Sequence, residues 1–256
     1  MSARRLPDVS TGHLVKICSL RTPADGVAAA DAGADLVGLI LAPARRRVTL
    51  ETAAEIVAAV HSTGPNAPLV VGVFVDEPVE RLNATAEALD LDLVQLHGEE
   101  PPDSLAAVAR PAIKALRLRP ETGLDDARRL AERYLSAAVP PRALTVEAHV
   151  ADAPGGSGRV VDWTLAARLA AEYPVILAGG LNPDNVAAAI AAVHPRGVDV
   201  SSGVEVGGQK DHLEIARFVE RARAAFAVPR APAAPGPALE GHVTERARST
   251  VARPSW

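Results

Sequence analysis

Predominantly apolar runs of four to seven residues alternate along the chain with longer stretches whose apolar positions repeat at helical spacing. The runs at 14–18, 35–41, 69–75, 93–96, 112–116, 143–147, 175–178 and 197–200 are too short and too β-branched for helices, and they read as buried strands. Between them lie helix signals. Residues 23–33 end on Gly33, Thr49 caps a helix running to about 61, and Pro78 and Pro102 open the third and fourth. Residues 123–135 form an Arg- and Glu-rich amphipathic helix, and 162–171, 183–193 and 211–225 complete the set. Apolar rather than alternating strands imply a parallel sheet covered by helices. Eight strands alternating with eight helices predict a single-domain α/β fold, a closed parallel (β/α)8 or TIM barrel over residues 13–226. A doubly wound open sheet is the competitor. Against it, the first strand–helix turn has no glycine fingerprint, and the glycine-rich loops come last.

The last two strands end on unusual chemistry. After residues 175–178, Gly179 and Gly180 bring bare backbone N–H groups to the strand end, and Asn182-Pro183 offers a cap and a helix start. After residues 197–200, Ser201, Ser202 and Gly203 add further donors. Two adjacent strand ends of this kind can cradle a dianionic phosphate without a lysine. In a (β/α)8 barrel the loops after strands seven and eight are where a phosphate commonly sits.

Reactive groups of such barrels stand at strand C-termini. Strand one ends on Cys18, strand four runs through Gln95 and His97, and strand six ends on Glu147. A thiol and a carboxylate on opposite sides of a mouth that also holds phosphate can act as an acid/base pair on a phosphorylated sugar. Each group has a plainer alternative. Cys18 could be a small core residue, Glu147 a structural carboxylate and His97 a loop-packing group; Asp199, inside strand eight, could be a satisfied interior group rather than a catalyst. The cluster Arg45-Arg46-Arg47 follows strand two at the rim of the mouth.

Composition narrows the picture. Aromatics make up only 3% of residues, so Val, Leu, Ile and Ala must fill the core. A net charge of −4 argues against a nucleic-acid partner, and no apolar run approaches the length of a membrane span. The single cysteine forms no intrachain disulfide, which suits a reducing, cytoplasmic setting. Residues 1–12 carry charge without an apolar core and read as a flexible leader; residues 227–256, rich in Pro, Ala and Arg, read as a disordered tail.

The ordered set Lys16-Ile-Cys18, Val71-Gly-Val-Phe-Val75, Val94-Gln-Leu-His-Gly98, Pro154-Gly-Gly-Ser-Gly158 with Asp162-Trp163, Leu177-Ala-Gly-Gly-Leu-Asn-Pro-Asp-Asn185 and Val198-Asp-Val-Ser-Ser-Gly-Val-Glu205 with Lys210-Asp211 resembles phosphoribosylanthranilate isomerase of tryptophan biosynthesis over residues 14–224. The resemblance implies an Amadori rearrangement of a phosphoribosyl aryl amine without metal or cofactor, by a monomer or homodimer. It implies Cys18 as general base and Glu147 as general acid. Gly156, Ser157, Gly179, Gly180, Ser201, Ser202 and Gly203 would hold phosphate, while Arg46, Arg47, Gln95 and His97 would contact the rest of the substrate. Several positions depart from the family pattern. Ser19 stands for a glycine, Glu147 for an aspartate, and Leu39 and Leu41 for phenylalanines expected to wall the aryl pocket; the loop before Arg46 is short. These departures leave open an isomerase for another phosphoribosyl amine, or a non-catalytic phosphosugar-binding barrel.

Overall fold

The computed structural model describes residues 13–118, 121–148 and 163–229. The expected leader, all but the first three residues of the expected tail, and Gly156 and Ser157 lie outside the described residues. Strands β1 (Leu14–Ile17), β2 (Leu36–Ile40), β3 (Leu69–Phe74), β4 (Leu93–Leu96), β5 (Ala112–Leu118), β6 (Ala143–Ala148), β7 (Val175–Leu177) and β8 (Gly197–Val200) pair in chain order and close into a parallel barrel. Closure joins β8 to β1, where Leu14 stands opposite Gly197 and Lys16 opposite Asp199.

Helices α1 (Pro23–Asp31), α2 (Leu50–His61), α3 (Val79–Ala88), α4 (Leu124–Leu135), α5 (Trp163–Ala170), α6 (Val186–Val193) and α7 (His212–Phe226) surround it. Thr49 caps α2 as its spacing predicted, its hydroxyl accepting the Thr52 N–H at 3.2 Å. The fourth connection departs from expectation. Pro102–Ala107 is a 3-10 turn, not an α-helix. Pro101 and Pro102 bring no N–H, and Ser104 turns both its N–H and its hydroxyl onto the Pro101 carbonyl, which tightens the winding. Helix α6 also starts later than Pro183, because the Asn182 carboxamide oxygen accepts from the N–H groups of Asp184 and Asn185 and spends those residues on a turn. A short hairpin, β9 (Glu205–Val206) and β10 (Gln209–Lys210), precedes α7.

Strand residues alternate between the helix layer and the barrel interior. One face, including Val15, Ile17, Val37, Leu39 and Val94, packs against the helices in the main core. On the other, Leu14, Leu36, Leu69, Leu93, Ile113 and Ile176 belong to a separate cluster that plugs the N-terminal end of the barrel. Continuing up that inner face by twos reaches Lys16 and Cys18 from β1, Gln95 and His97 from β4, Thr145 and Glu147 from β6, and Asp199 and Ser201 from β8. The same period that builds the apolar plug therefore delivers polar groups to the mouth.

Candidate active site

A cavity of about 310 Å³ opens at the C-terminal end of the barrel and is lined by Cys18, Gln95, His97, Glu147 and Asp199, among others. The loops after β7 and β8 form one wall, with Gly179, Gly180, Ser201, Ser202 and Gly203 all lining it. Gly179 and Gly180 have φ of +91° and +66°, a left-handed backbone that glycine adopts without strain. A Cβ on Gly203 would collide with the Leu181 carbonyl oxygen, so its bare backbone is what lets the two loops meet. The buried ammonium of Lys210 donates to the Ser201 carbonyl at 2.8 Å and braces the second loop from behind.

The β1 side holds the thiol. Cys18 is 7% exposed, and its backbone N–H bonds the Val200 carbonyl at 2.8 Å. Gly38, beside it on β2, leaves room for the sulfur: a Cβ there would lie 2.7 Å from Sγ. Ser19 follows with φ +64°, which explains why glycine suits this position; its hydroxyl lies 2.8 Å from that of Ser201. The side chain is thus directed into the loop after β8 instead of over the thiol.

Below the thiol, Lys16 is fully buried with Nζ 2.7 Å from Asp199 Oδ2. Burial works against the ammonium, but the Asp199 carboxylate and the neighbouring Cys18 outweigh it and push Lys16 upward. Asp199 is also raised: burial dominates, and Lys16 offsets only part of it. Asp199 Oδ1, Thr145 Oγ1 and Gln95 Oε1 are buried without a hydrogen-bond partner among the described residues, and all three residues line the cavity floor. Unmet polar capacity at the bottom of a cavity is costly unless a ligand answers it.

Opposite stands Glu147, half-buried, with Oε2 3.0 Å from His97 Nε2. Burial raises its carboxyl, but the His97 hydrogen bond and charge, then Arg117 and Lys16, prevail and hold it below the ordinary value. His97 Nδ1 in turn lies 3.0 Å from Gln95 Nε2. Arg46 reaches the cavity with its fork already engaged, Nε and Nη2 each 2.8 Å from a Glu205 oxygen. Arg45 lines the cavity and Arg47 does not; Arg47 is exposed, with its N–H turned back to the Ala44 carbonyl.

One sequence expectation changes here. Leu39 and Leu41 do not wall the pocket; they face the helix layer, and the cavity side of β2 presents Ile40 and Ala42. Strand parity fixes this, since Gly38 faces the thiol and every second residue follows it. Lys16, Thr145 and Lys210 received no role from the sequence. The signal was available for one of them: β1 and β8 each carry a single charge, of opposite sign, inside an apolar run.

Comparison with known proteins agrees with this geometry. The family model described as N-(5'phosphoribosyl)anthranilate (PRA) isomerase matches residues 15–221. The chain is 45% identical over 216 residues to N-(5'-phosphoribosyl)anthranilate isomerase of Roseiflexus sp., covering 82% of this chain and 98% of the relative. It is similar to the crystal structure of phosphoribosyl anthranilate isomerase from Thermotoga maritima, with TM-score 0.71 and 34% identity over 83% of this chain and 99% of that one. A further solved phosphoribosyl anthranilate isomerase, in complex with reduced 1-(o-carboxyphenylamino)-1-deoxyribulose 5-phosphate, matches with TM-score 0.68 and 32% identity over 83% of this chain and 99% of that one.

Proposed function

The chain belongs to the N-(5'-phosphoribosyl)anthranilate isomerase family, and we infer that it catalyses the Amadori rearrangement of N-(5'-phosphoribosyl)anthranilate to 1-(2-carboxyphenylamino)-1-deoxyribulose 5-phosphate in tryptophan biosynthesis. The observation that carries this reading is one cavity with a thiol, Cys18, on one side, a carboxylate, Glu147, on another, and a glycine- and serine-built cradle between their strands. The Gly179-Gly180 and Ser201–Gly203 loops hold the 5'-phosphate on backbone and hydroxyl donors. Glu147 in its acid form protonates the furanose ring oxygen; the ring opens as the amine lone pair forms C1'=N. Cys18 as thiolate removes the C2' proton, and the enolamine relaxes to the ketose. The orphaned acceptor Asp199 Oδ1, with Thr145 Oγ1, answers the sugar hydroxyls at the cavity floor. Arg46 meets the anthranilate carboxylate by sharing or exchanging its hold on Glu205.

The test is direct. Purified protein should abolish the fluorescence of phosphoribosylanthranilate with saturable kinetics, and no turnover at high enzyme concentration would remove the assignment. The main argument from sequence for a different amine was the altered aromatic wall, and Leu39 and Leu41 lie outside the cavity.

A further inference from the structure

We propose that His97 is the positioning residue for the general acid: the hydrogen-bonded chain Gln95–His97–Glu147 seats the longer glutamate carboxylate and keeps its transferable proton at the His97 Nε2–Glu147 Oε2 contact. The proposal rests on the reading of Glu147 as the acid. A general acid must carry a proton, yet the surroundings of Glu147 favour its ionised form. Lys16 from β1 and Arg117 from β5 act in the same direction as His97, while Asp199 from β8 opposes a second negative charge. Paired with an imidazole 3.0 Å away, Glu147 need not hold the proton itself. The pair holds it jointly across that contact.

The other ring nitrogen makes this workable. With Gln95 Nε2 facing Nδ1 at 3.0 Å as a donor, the ring accepts there and donates from Nε2 to Glu147. Turned over, the same carboxamide presents its oxygen and accepts from Nδ1–H, so that an imidazolium is also satisfied. Gln95 Oε1, buried and partnerless in the first arrangement, is the atom that the second puts to use.

His97 is also firmly placed. Its N–H bonds the Phe74 carbonyl at 2.8 Å. On either side of it, the Leu96 and Gly98 carbonyls accept from the buried Lys114 ammonium at 3.2 and 2.6 Å, and the Gly98 N–H is held by Glu100. A fixed imidazole selects for a carboxylate of the right reach. Glu147 has that reach; an aspartate, one methylene shorter, stops about 1 Å short.

In the step itself, the pair gives one proton from Oε2 to the ring oxygen. The C1'–O bond breaks with its electrons going to that oxygen, and the nitrogen lone pair closes C1'=N. Cys18 then takes the C2' proton, whose bonding electrons form C1'=C2'. One proton leaves the pair and one reaches Cys18, so the protein's charge is unchanged, and exchange with water resets both groups.

Steady-state kinetics across pH test this with Glu147→Asp, His97→Asn and Glu147→Gln. Glu147→Asp should lower kcat on the order of a hundredfold with KM changed by less than about threefold. His97→Asn should lower kcat with KM changed little and shift the alkaline limb of kcat by about one pH unit or more, because the carboxylate loses the ring nitrogen 3.0 Å away that shares its proton. In the Glu147→Asp background, His97→Asn should add little. An unmoved alkaline limb in His97→Asn, or a rise in KM alone, would make His97 an ordinary substrate contact and overturn the proposal. Glu147→Asp as active as the parent would equally overturn it. An active Glu147→Gln would instead remove Glu147 as the acid and the underlying reading with it. Should His97→Asn fail to fold, His97→Gln carries the same limb measurement.

Discussion

Two lysines lie fully buried in this barrel, each against a carboxylate, and they do opposite things. Lys114, on the helix-facing side of β5, gives its three protons to the Leu96 and Gly98 carbonyls and to Glu100 Oε2 at 2.9 Å, with the Tyr134 ring 5.2 Å away. Glu100 is answered as fully, by the N–H groups of Asp76 and Gly98. Lys16, on the inner face of β1, meets Asp199 through one oxygen only, and Asp199 Oδ1 has no partner among the described residues at the cavity floor. A closed polar network fixes structure; an incomplete one at the same depth, open to a cavity, leaves hydrogen-bonding capacity for water or a ligand to meet. Burial alone therefore does not tell a structural charge from a functional one. Here the difference is an unmet acceptor that faces a cavity.

The sharpest way to break this contrast is to cut beside each lysine. Cys18→Ala should lower kcat/KM on the order of 10²- to 10⁴-fold, the usual contribution of a positioned acid or base, while stability measured by urea denaturation moves by less than about 1 kcal/mol. At the other lysine, Tyr134→Phe removes the hydrogen bond from the phenol to the Glu100 carbonyl. It should cost about 1 kcal/mol of stability and leave turnover unchanged. An active Cys18→Ala would end its role as base, and a Tyr134→Phe enzyme with impaired chemistry would erase the division between the two lysines.

Removing the charges themselves should separate them next. Lys16→Met and Lys114→Met each strand a buried carboxylate and should each lose about 3–5 kcal/mol. Taking away both partners should then diverge. Lys16→Met with Asp199→Leu should recover most of the loss, since among the described residues no backbone group donates to Asp199, and should be inactive. Lys114→Met with Glu100→Leu should not recover, because the Asp76 and Gly98 N–H groups lose their acceptor. Equal recovery in both would show that the two networks are alike. The pH dependence should differ in sign as well. Glu100 is held below the ordinary carboxylate value, burial being outweighed by Lys114 and the backbone donors, so its contribution to stability is lost as pH falls through that lower value. Asp199 is raised, so its contribution is present at low pH and lost as pH rises past the ordinary aspartate range. Denaturation from about pH 3 to about pH 7 should show Glu100→Gln flattening the acid loss and Asp199→Asn steepening it.

The contrast also sorts what the sequence could tell. The barrel was readable because eight apolar runs separated by capped helical stretches leave few topologies open, and the glycine-built wall of the cavity because Gly179, Gly180 and Gly203 express local backbone needs. The Lys16–Asp199 pair was readable in principle, from single charges in the first and last strands of a ring that must close. Leu39 and Leu41 were misplaced by comparing residue types without counting strand parity. The fourth helix failed where two prolines and Ser104 tightened a turn that periodicity cannot see. Contacts set by rotamers across three strands, such as His97 with Glu147 and Arg46 with Glu205, have no linear signature.

The smallest expected effect tests the same rule at a position where strain and a hydrogen bond oppose each other. Ser19 holds a left-handed backbone at a cost of about 1–2 kcal/mol relative to glycine, and its hydroxyl returns about 1 kcal/mol through Ser201. Ser19→Gly should therefore change stability by less than about 1 kcal/mol. If the hydroxyl only relieves strain, the kinetics should not move. But Ser201 belongs to the loop taken to hold phosphate, and Ser19 itself lines the cavity. The loss should then appear as a KM raised about threefold with kcat unchanged, the pattern of an interaction made equally in ground and transition states. Ser19→Ala discriminates further: it keeps the strain and drops the hydroxyl, so it should share the KM effect and add a stability loss of about 1 kcal/mol. A Ser19→Ala enzyme with parental KM would assign the hydroxyl to the fold alone, and place Ser19 with Lys114 among the groups that build the mouth without meeting what enters it.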